Sequence, residues 1–215
     1  MTGRGDLVAK RMELKEEIHK AAILEFSENG LRGASTQGIA DRAGISKTKL
    51  HYHITSKEEL YEEVLKKIIR TWEVIYAGVS LENGPEAFFR DYIVRKVRYS
   101  LERPAEVRLF VHEVMRGAAQ LRKHWMGSRE ATRRAAIQIS EWIDQGQIRK
   151  VHPILLQFHI WALTEQYAVL AEEAKFMLGL TSEENLDADL IINEVSDLIV
   201  NGLRLSLIHI SEPTR

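Results

Sequence analysis

The 215-residue sequence predicts an all-α protein, and three observations lead to this prediction. Apolar residues recur at three- and four-residue spacing along almost the whole chain, which is the period of an amphipathic helix. Residues that cap or end helices stand at the limits of these periodic stretches. The chain carries only 13 glycines and 4 prolines, too few for a loop-rich β sandwich.

The first part of the chain predicts three helices. The first covers residues 10–28, with apolar side chains every fourth residue, and ends at Asn29-Gly30. A short second helix follows Ser35-Thr36, since either residue can cap its start, and it ends at Ala43-Gly44. A third covers residues 46–53, and Ser46 caps its start. The apolar positions of the first helix are Leu14, Ile18, Ala22 and Phe26.

The rest of the chain predicts one long helix and then five or six more. Ser56 and Glu59 form a capping box that opens the long helix. Residues 153–178 and 190–203 are strongly apolar, and such helices need partners on more than one side. They therefore suit either the core or a subunit interface. The expected breaks are Asn83-Gly84-Pro85, Pro104, Gly117, Gly127-Ser128 and residues 146–153.

The composition excludes several classes of protein. The chain has no cysteine, so it has no disulfide framework, no thiolate zinc site and no cysteine nucleophile. Its apolar runs are shorter than the roughly 20 residues of a membrane-spanning helix, and residues 1–6 lack the apolar core of a signal peptide. We therefore expect a soluble protein of the cytoplasm, a reducing compartment that suits a cysteine-free chain.

Catalytic motifs are absent from the sequence as well. There is no P-loop, no G-x-S-x-G elbow and no G-x-G-x-x-G loop. His51 and His53 diverge by about 200° on a helix, so they cannot share a metal ion. His112-Glu113 is one histidine short of the H-E-x-x-H zinc motif. We expect no enzyme, no cofactor and no metal.

Residues 35–60 carry the most informative pattern. Two short helices joined by a turn that contains Gly44 form a helix-turn-helix. In the second helix, Leu50 and Ile54 lie one turn apart and face inward, which leaves the opposite face to polar side chains. Such groups can bind phosphate oxygens and base edges in a major groove. The outward residues are Thr48, Lys49, Tyr52 and His53.

Two lysines flank this face. Lys47 precedes it, and Lys57 stands in the first turn of the next helix, where its charge opposes the helix dipole. An anionic phosphate at that helix end would account for a cation in this position.

This stretch resembles the DNA-binding segment of TetR/AcrR-family transcriptional repressors. It departs from the usual pattern at His51, which replaces a tyrosine, and at Ile54, which replaces a phenylalanine. The matching residues are Thr36, Ile39, Ala40, Ala43, Gly44, Ile45, Ser46, Lys47, Leu50, Tyr52, His53, Ser56, Lys57 and Glu58.

The resemblance implies a division of the chain and a role for each part. It implies an N-terminal arm over residues 1–9, a three-helix DNA-binding head over residues 10–55, and a ligand-binding and dimerisation domain over residues 56–204. The arm, with Arg4, Lys10 and Arg11, either adds backbone or minor-groove contacts or is a frayed polar terminus. The implied phosphate-binding residues are Thr36, Tyr52 and Lys57, and those near base edges are Lys47, Thr48, Lys49 and His51.

A second set of residues lies in the C-terminal two thirds. It comprises Arg108-Leu109-Phe110, Glu113, Gly117-Ala118, Trp142, Gly146-Gln147-Ile148, Pro153, Ile160-Trp161-Ala162, Thr164 and Tyr167. These residues are similar to the branch of the family that contains the pyrimidine-responsive regulator RutR. That resemblance implies a small-molecule pocket, and its lining residues would be Trp72, Trp161, Glu165 and Tyr167.

Glu165 stands where the uracil-binding member of that branch carries a glutamine. An ionised carboxylate accepts hydrogen bonds but cannot donate one, so we expect a ligand with N–H groups or a cation. Considered without the family, tryptophans such as Trp72 and Trp161 are more often plain core aromatics, and Glu165 fits a buried pair with an arginine.

The sequence therefore predicts a homodimeric, ligand-responsive repressor that a small molecule releases from a near-palindromic operator. One alternative is a DNA-binding protein without an effector, which responds to a partner protein or acts as an activator. A more remote alternative is a helical enzyme or carrier with a vestigial head. Residues 205–215 resemble translated adapter sequence from DNA library preparation, or else form an apolar tail that adds to a dimer interface.

Overall fold

The computed structural model describes residues 3–205, and every regular element in this range is a helix, so the all-α prediction is confirmed. No helix in this range combines the length and the apolar character needed to cross a membrane. The helices are α1 (Gly3–Gly33), α2 (Thr36–Arg42), α3 (Lys47–His53), α4 (Lys57–Ala77), α5 (Gly84–Glu102), α6 (Pro104–Met115), α7 (Trp125–Asp144), α8 (Pro153–Val169), α9 (Ala171–Met177) and α10 (Ala188–Leu203).

The chain forms two compact units. The first takes in the residues up to Val74 together with Glu102–Ser128, and the second takes in Ile75–Leu101 and the residues from Arg129 onward. The first unit therefore contains the helix-turn-helix but is larger than the three-helix head expected from the sequence, because α4 as far as Val74 and a distant segment that includes α6 also belong to it.

Helix α1 differs from its predicted bounds at one end. It begins at Gly3 rather than at residue 10, so the segment expected as an arm is part of the helix. The negative charge of Asp6 in its first turn interacts favourably with the positive end of the helix dipole. Its predicted end is confirmed, since the helical conformation breaks at Gly30, with φ 63° and ψ 176°. The Arg116 guanidinium packs directly over this glycine.

The short helices begin at the predicted serine caps. Of the two residues able to cap α2, the structure selects Ser35, whose Oγ accepts the Gly38 amide at 2.8 Å. Ser46 caps α3 and Ser56 caps α4 in the same way, by accepting the amide three residues further on at 3.2 and 3.1 Å. Gly44, at φ 65°, makes the turn between α2 and α3.

One predicted break is wrong. Gly127-Ser128 does not separate helices, because α7 runs through it from Trp125. The glycine has another role there: a Cβ at this position would lie 3.1 Å from the Glu73 carboxylate, which also accepts the Ser128 hydroxyl at 3.3 Å. Glycine thus leaves room for this carboxylate rather than ending the helix.

The core of the first unit joins apolar side chains from five helices, α1, α2, α3, α4 and α6. Leu50 of α3 is fully buried in it, as the sequence predicts. The core also holds a polar pair: Tyr61 donates to the buried Glu113 carboxylate at 2.9 Å, and burial, more than this bond, raises the pKa of Tyr61. Its other main members are Ile18, Ala22, Phe26, Ile39, Ala40, Leu60, Val64, Leu65, Ile68 and Leu109.

The core of the second unit is rich in aromatic rings contributed by α5 and α7. The ring centroids of Phe88 and Phe89 lie 5.2 and 5.8 Å from that of Trp142. The Tyr92 ring centroid lies 5.5 Å from that of Tyr76, which is at the end of α4. Helices α8 and α10, the two strongly apolar segments, each bury part of their surface here. Leu170 ends α8, so the segment of residues 153–178 is two helices and not one.

The predicted tail, residues 205–215, lies outside the described residues except for Leu205, which is exposed.

The break in α1 gives a stability test. We expect Gly30→Ala to lower the free energy of unfolding by about 1–2 kcal/mol, because an L side chain is strained at positive φ and its Cβ would overlap Arg116. The control is Gly33→Ala, at a helical position where the nearest atom is 3.5 Å from the new Cβ, which should be neutral or stabilising. Urea denaturation measures both, and an equal response of the two variants would contradict the strained turn.

Candidate functional site

Helix α3 separates its side chains as the sequence predicts. Leu50 is fully buried, whereas Tyr52 is 80% exposed. An aromatic ring left in water on a seven-residue helix is unusual and favours a binding role. The remaining exposed residues of α3 are Lys47, Thr48, Lys49 and His51.

Two predicted DNA-contacting residues are less accessible. His53 is half-buried at the end of α3, with its ring edge-on to Tyr52 at a centroid distance of 5.3 Å. Thr36 is half-buried at the start of α2, directly after the capping Ser35. Both nonetheless lie on the helix-turn-helix beside the exposed residues of α3.

Lys57 has a partner within the protein. Its Nζ donates to the backbone carbonyl of Ala34 at 2.7 Å, and so ties the start of α4 to the turn between α1 and α2. This carbonyl accounts for a cation in the first turn of α4 without any phosphate. The phosphate contact of Lys57 therefore stays a prediction.

The predicted effector residues fall in different units. Trp72 belongs to the first, where its ring lies 4.3 Å from that of Phe110 and packs against the core. Trp161, Glu165 and Tyr167 belong to the second, all on α8. Within their unit these three are half-buried.

Glu165 forms a buried ion pair that the sequence reasoning missed. The Lys96 Nζ donates to its carboxylate at 2.6 Å, and the side chains of Lys96 and Glu165 are only 3% and 17% exposed. The partner is thus a lysine rather than an arginine. Lys96 follows Tyr92 by one helical turn on the buried face of α5, a spacing that could have indicated it.

Polar groups beside this pair continue the cluster. The Trp161 Nε1 donates to the Tyr92 hydroxyl at 2.9 Å. Burial raises the pKa of Tyr92 above its usual value, so this phenol stays protonated. Since Lys96 already supplies a positive charge, Glu165 does not require a cationic ligand, and that part of the expectation loses its basis.

No group of three or more histidine, aspartate or glutamate side chains suited to hold a metal occurs within residues 3–205.

Two family models divide almost the whole chain between them. The one described as "Bacterial regulatory proteins, tetR family" matches residues 18–64, and the one described as "YcdC-like protein, C-terminal region" matches residues 65–206. Among solved structures, the ketosteroid transcriptional regulator KstR2 of Mycobacterium tuberculosis gives a TM-score of 0.71 at 20% identity, covering 92% of this chain and 96% of that one. The TetR-family regulator PfmR of Thermus thermophilus gives 0.66 at 19% identity, covering 88% and 99%.

Sequence relatives agree. The HTH-type transcriptional regulator RutR of Escherichia coli K12 is 32% identical over 192 residues, which covers 88% of this chain and 90% of that protein. The HTH-type transcriptional repressor KstR2 of M. tuberculosis is 40% identical over 62 residues, 29% of each chain. The chain therefore belongs to the TetR family and is a DNA-binding transcriptional regulator, not an enzyme.

Proposed function

We propose that the protein is a dimeric repressor that holds a near-palindromic operator through α3 and releases it when a small molecule binds the second unit. The observation that carries this proposal is the divided surface of α3, with Leu50 fully buried and Tyr52 80% exposed among hydroxyl, ammonium and imidazole groups. This face offers the donors that phosphates and base edges accept. Such a regulator acts where the chromosome lies, in the bacterial cytoplasm.

In this proposal the residues of the helix-turn-helix have two kinds of task. Thr36, Tyr52 and Lys57 hold phosphates and set the orientation, while the exposed residues of α3 read base edges. Two copies of α3 enter successive major grooves about 34–36 Å apart. The residues that read bases are Lys47, Thr48, Lys49 and His51, with His53 at the edge of the face.

The second unit supplies the dimer interface in this proposal. Helices α8 and α10 pack against each other, and each leaves large apolar side chains in water. Phe158 is 48% exposed and Leu198 is 62% exposed, with Leu155 one turn before Phe158 also exposed. Exposed apolar residues that cluster on neighbouring helices are typical of protein interfaces. A second copy of the same face would cover them.

The effector site is proposed around the ion pair of Lys96 and Glu165. A buried pair is seldom more stable than well-packed apolar residues, so its presence needs another reason. The ammonium donates and the carboxylate accepts, which together suit a ligand edge that carries a C=O beside an N–H. Pyrimidine bases have such an edge, and Trp161, one turn before Glu165, provides aromatic surface on the same face of α8. Tyr167 is two residues past Glu165 and so points away from that face, and its contribution stays a prediction. The contribution of Trp72 stays a prediction.

A regulator without an effector is the second candidate. The ion pair is already satisfied within the protein, as it would be in a purely structural core. The ligand test below separates the two candidates.

DNA recognition by α3 is tested on a duplex selected from a random library by the unchanged protein. We expect Tyr52→Phe to weaken binding to all sequences by about 2–10-fold, through loss of one hydrogen bond, and Lys49→Ala to change the bases selected. Fluorescence anisotropy and repeated selection measure these effects, with Lys150→Ala in the second unit as the control. If Lys49→Ala selects the same bases at every position, its contact with base edges is wrong.

The interface is tested by placing a charge on it. Phe158→Glu or Leu198→Glu should convert a dimer of 24.7-kDa chains into monomers at micromolar concentration, because a buried unpaired carboxylate is strongly unfavourable. Ile137→Glu, on the exposed surface of α7, is the matched control and should stay dimeric. Sedimentation equilibrium gives the masses; an interface elsewhere would leave both α8 and α10 variants dimeric.

The ion pair is tested by removing one partner and then both. Lys96→Met should lower the free energy of unfolding by about 3 kcal/mol, because it leaves the Glu165 charge without this partner, and Lys96→Met with Glu165→Leu should recover most of the loss. Uracil is the ligand probe: it should raise the melting temperature of the unchanged protein and not that of the double variant. A melting temperature that uracil and thymine leave unchanged would speak against a pyrimidine-type effector.

A further inference from the structure

A carboxylate lies beneath the first helix of the helix-turn-helix. Glu25, on α1, has a side chain only 8% exposed. One of its oxygens accepts the backbone amide of Ser35 at 3.1 Å, and the other accepts Nε of Arg42 at 3.0 Å. Ser35 caps the start of α2 and Arg42 is its last residue, so a single carboxylate holds both ends of this helix.

The middle of α2 is shaped to fit this carboxylate. Gly38 faces Glu25, and a Cβ at this position would lie 2.6 Å from its Oε1. No real Cβ approaches an oxygen so closely, since the contact is well inside van der Waals distance. Glycine therefore lets the backbone of α2 lie directly on the carboxylate, at the expense of helix propensity.

Helix α2 in turn places α3. The Ile45 amide donates to the Ala40 carbonyl at 3.0 Å across the turn, and the two helices pack against each other. Each is only seven residues long, far below the length at which a helix is stable alone. Their position is thus set by the rest of the unit: α2 packs on α1, and α3 packs on α2 and buries Leu50 in the shared core. For α2 the polar part of these contacts centres on Glu25.

We propose that Glu25 is a positioning residue for DNA recognition: it fixes α2 on α1, and through α2 it fixes the angle at which α3 meets the groove. This inference rests on the proposed placement of α3 in the major groove. A negative charge in this part of the molecule opposes binding to phosphates, so its electrostatic effect alone would weaken DNA binding. Glu25 favours DNA binding by holding α2 in one position, because a surface that is already ordered loses less entropy on binding.

Glu25→Gln separates the two effects. The amide keeps the size of the side chain and one acceptor oxygen, but it loses the negative charge and one of the two bonds, to Ser35 or to Arg42, because its NH2 group cannot accept from a donor. On charge alone the variant should bind any duplex as well as before or more tightly. On the positioning role, affinity for the selected duplex should fall about tenfold or more, while affinity for a random duplex should not fall.

Glu28→Gln is the matched control. Glu28 bonds the same arginine, Arg42, from the same helix, and the substitution removes the same charge. Its side chain is 54% exposed, and the carboxylate that faces Gly38 and accepts the Ser35 amide is that of Glu25 instead. We expect it to leave affinity for the selected duplex unchanged or slightly higher.

Gly38→Ala tests the same contact from α2. Helix propensity alone predicts a higher melting temperature for this variant. The new Cβ displaces the Glu25 carboxylate, so we expect weaker binding to the selected duplex in spite of that gain. In a Glu25→Ala background the carboxylate that the new Cβ would meet is absent. Adding Gly38→Ala should then cause no further loss of affinity, so the effects of the two changes should be non-additive.

The outcomes are distinct. Fluorescence anisotropy at one fixed salt concentration gives both affinities, and circular dichroism gives the melting temperatures. If the unchanged protein prefers no duplex over random DNA, the proposed function fails. If the unchanged protein prefers the selected duplex over random DNA, and Glu25→Gln binds the two duplexes as Glu28→Gln does, only the positioning role fails. Equal losses on selected and random duplexes would likewise overturn it. Should Glu25→Gln not fold, unchanged affinity of the single variant Gly38→Ala for the selected duplex would do so.

Discussion

The surface that we propose to bind DNA depends on one constraint: α2 and α3 are too short to be stable without the rest of their unit. A helix of seven residues has little stability in water, because the cost of its first turn is spread over few hydrogen bonds. Serine caps contribute part of the stability that these helices lack, and the burial of Leu50 and Ile39 contributes a further part. The exposed face of α3 can therefore be given to polar groups only because the opposite face is fully committed to the core.

In each unit, buried or half-buried carboxylates bind polar groups of other helices or turns. Glu25 holds α2 on α1, Glu113 accepts the Tyr61 hydroxyl, and Glu165 pairs with Lys96. Each is bonded rather than isolated, as the unfavourable free energy of burying a charge requires. Directional bonds of this kind fix helix orientation more narrowly than apolar contact does.

Local patterns predicted much of this protein. The serine caps and the breaks at Gly30, Gly44 and Pro104 all depend on backbone groups within a few residues of each other, and the structure has them where the sequence indicates. Gly127 was misread because its neighbour, Glu73, comes from a remote part of the chain. The extension of α1 to Gly3 was missed because that segment has no apolar period to reveal it.

The sequence by itself determined the helical class, the helix-turn-helix and the side of α3 that stays in water, since these follow from capping chemistry and from a period of 3.6 residues. Only the tertiary structure decided that α6 joins the first unit, that Lys57 binds the Ala34 carbonyl, and that Lys96 pairs with Glu165. The physical reason is distance along the chain: these contacts join residues more than 20 positions apart, and no local period or propensity records which distant side chain a folded backbone brings into reach.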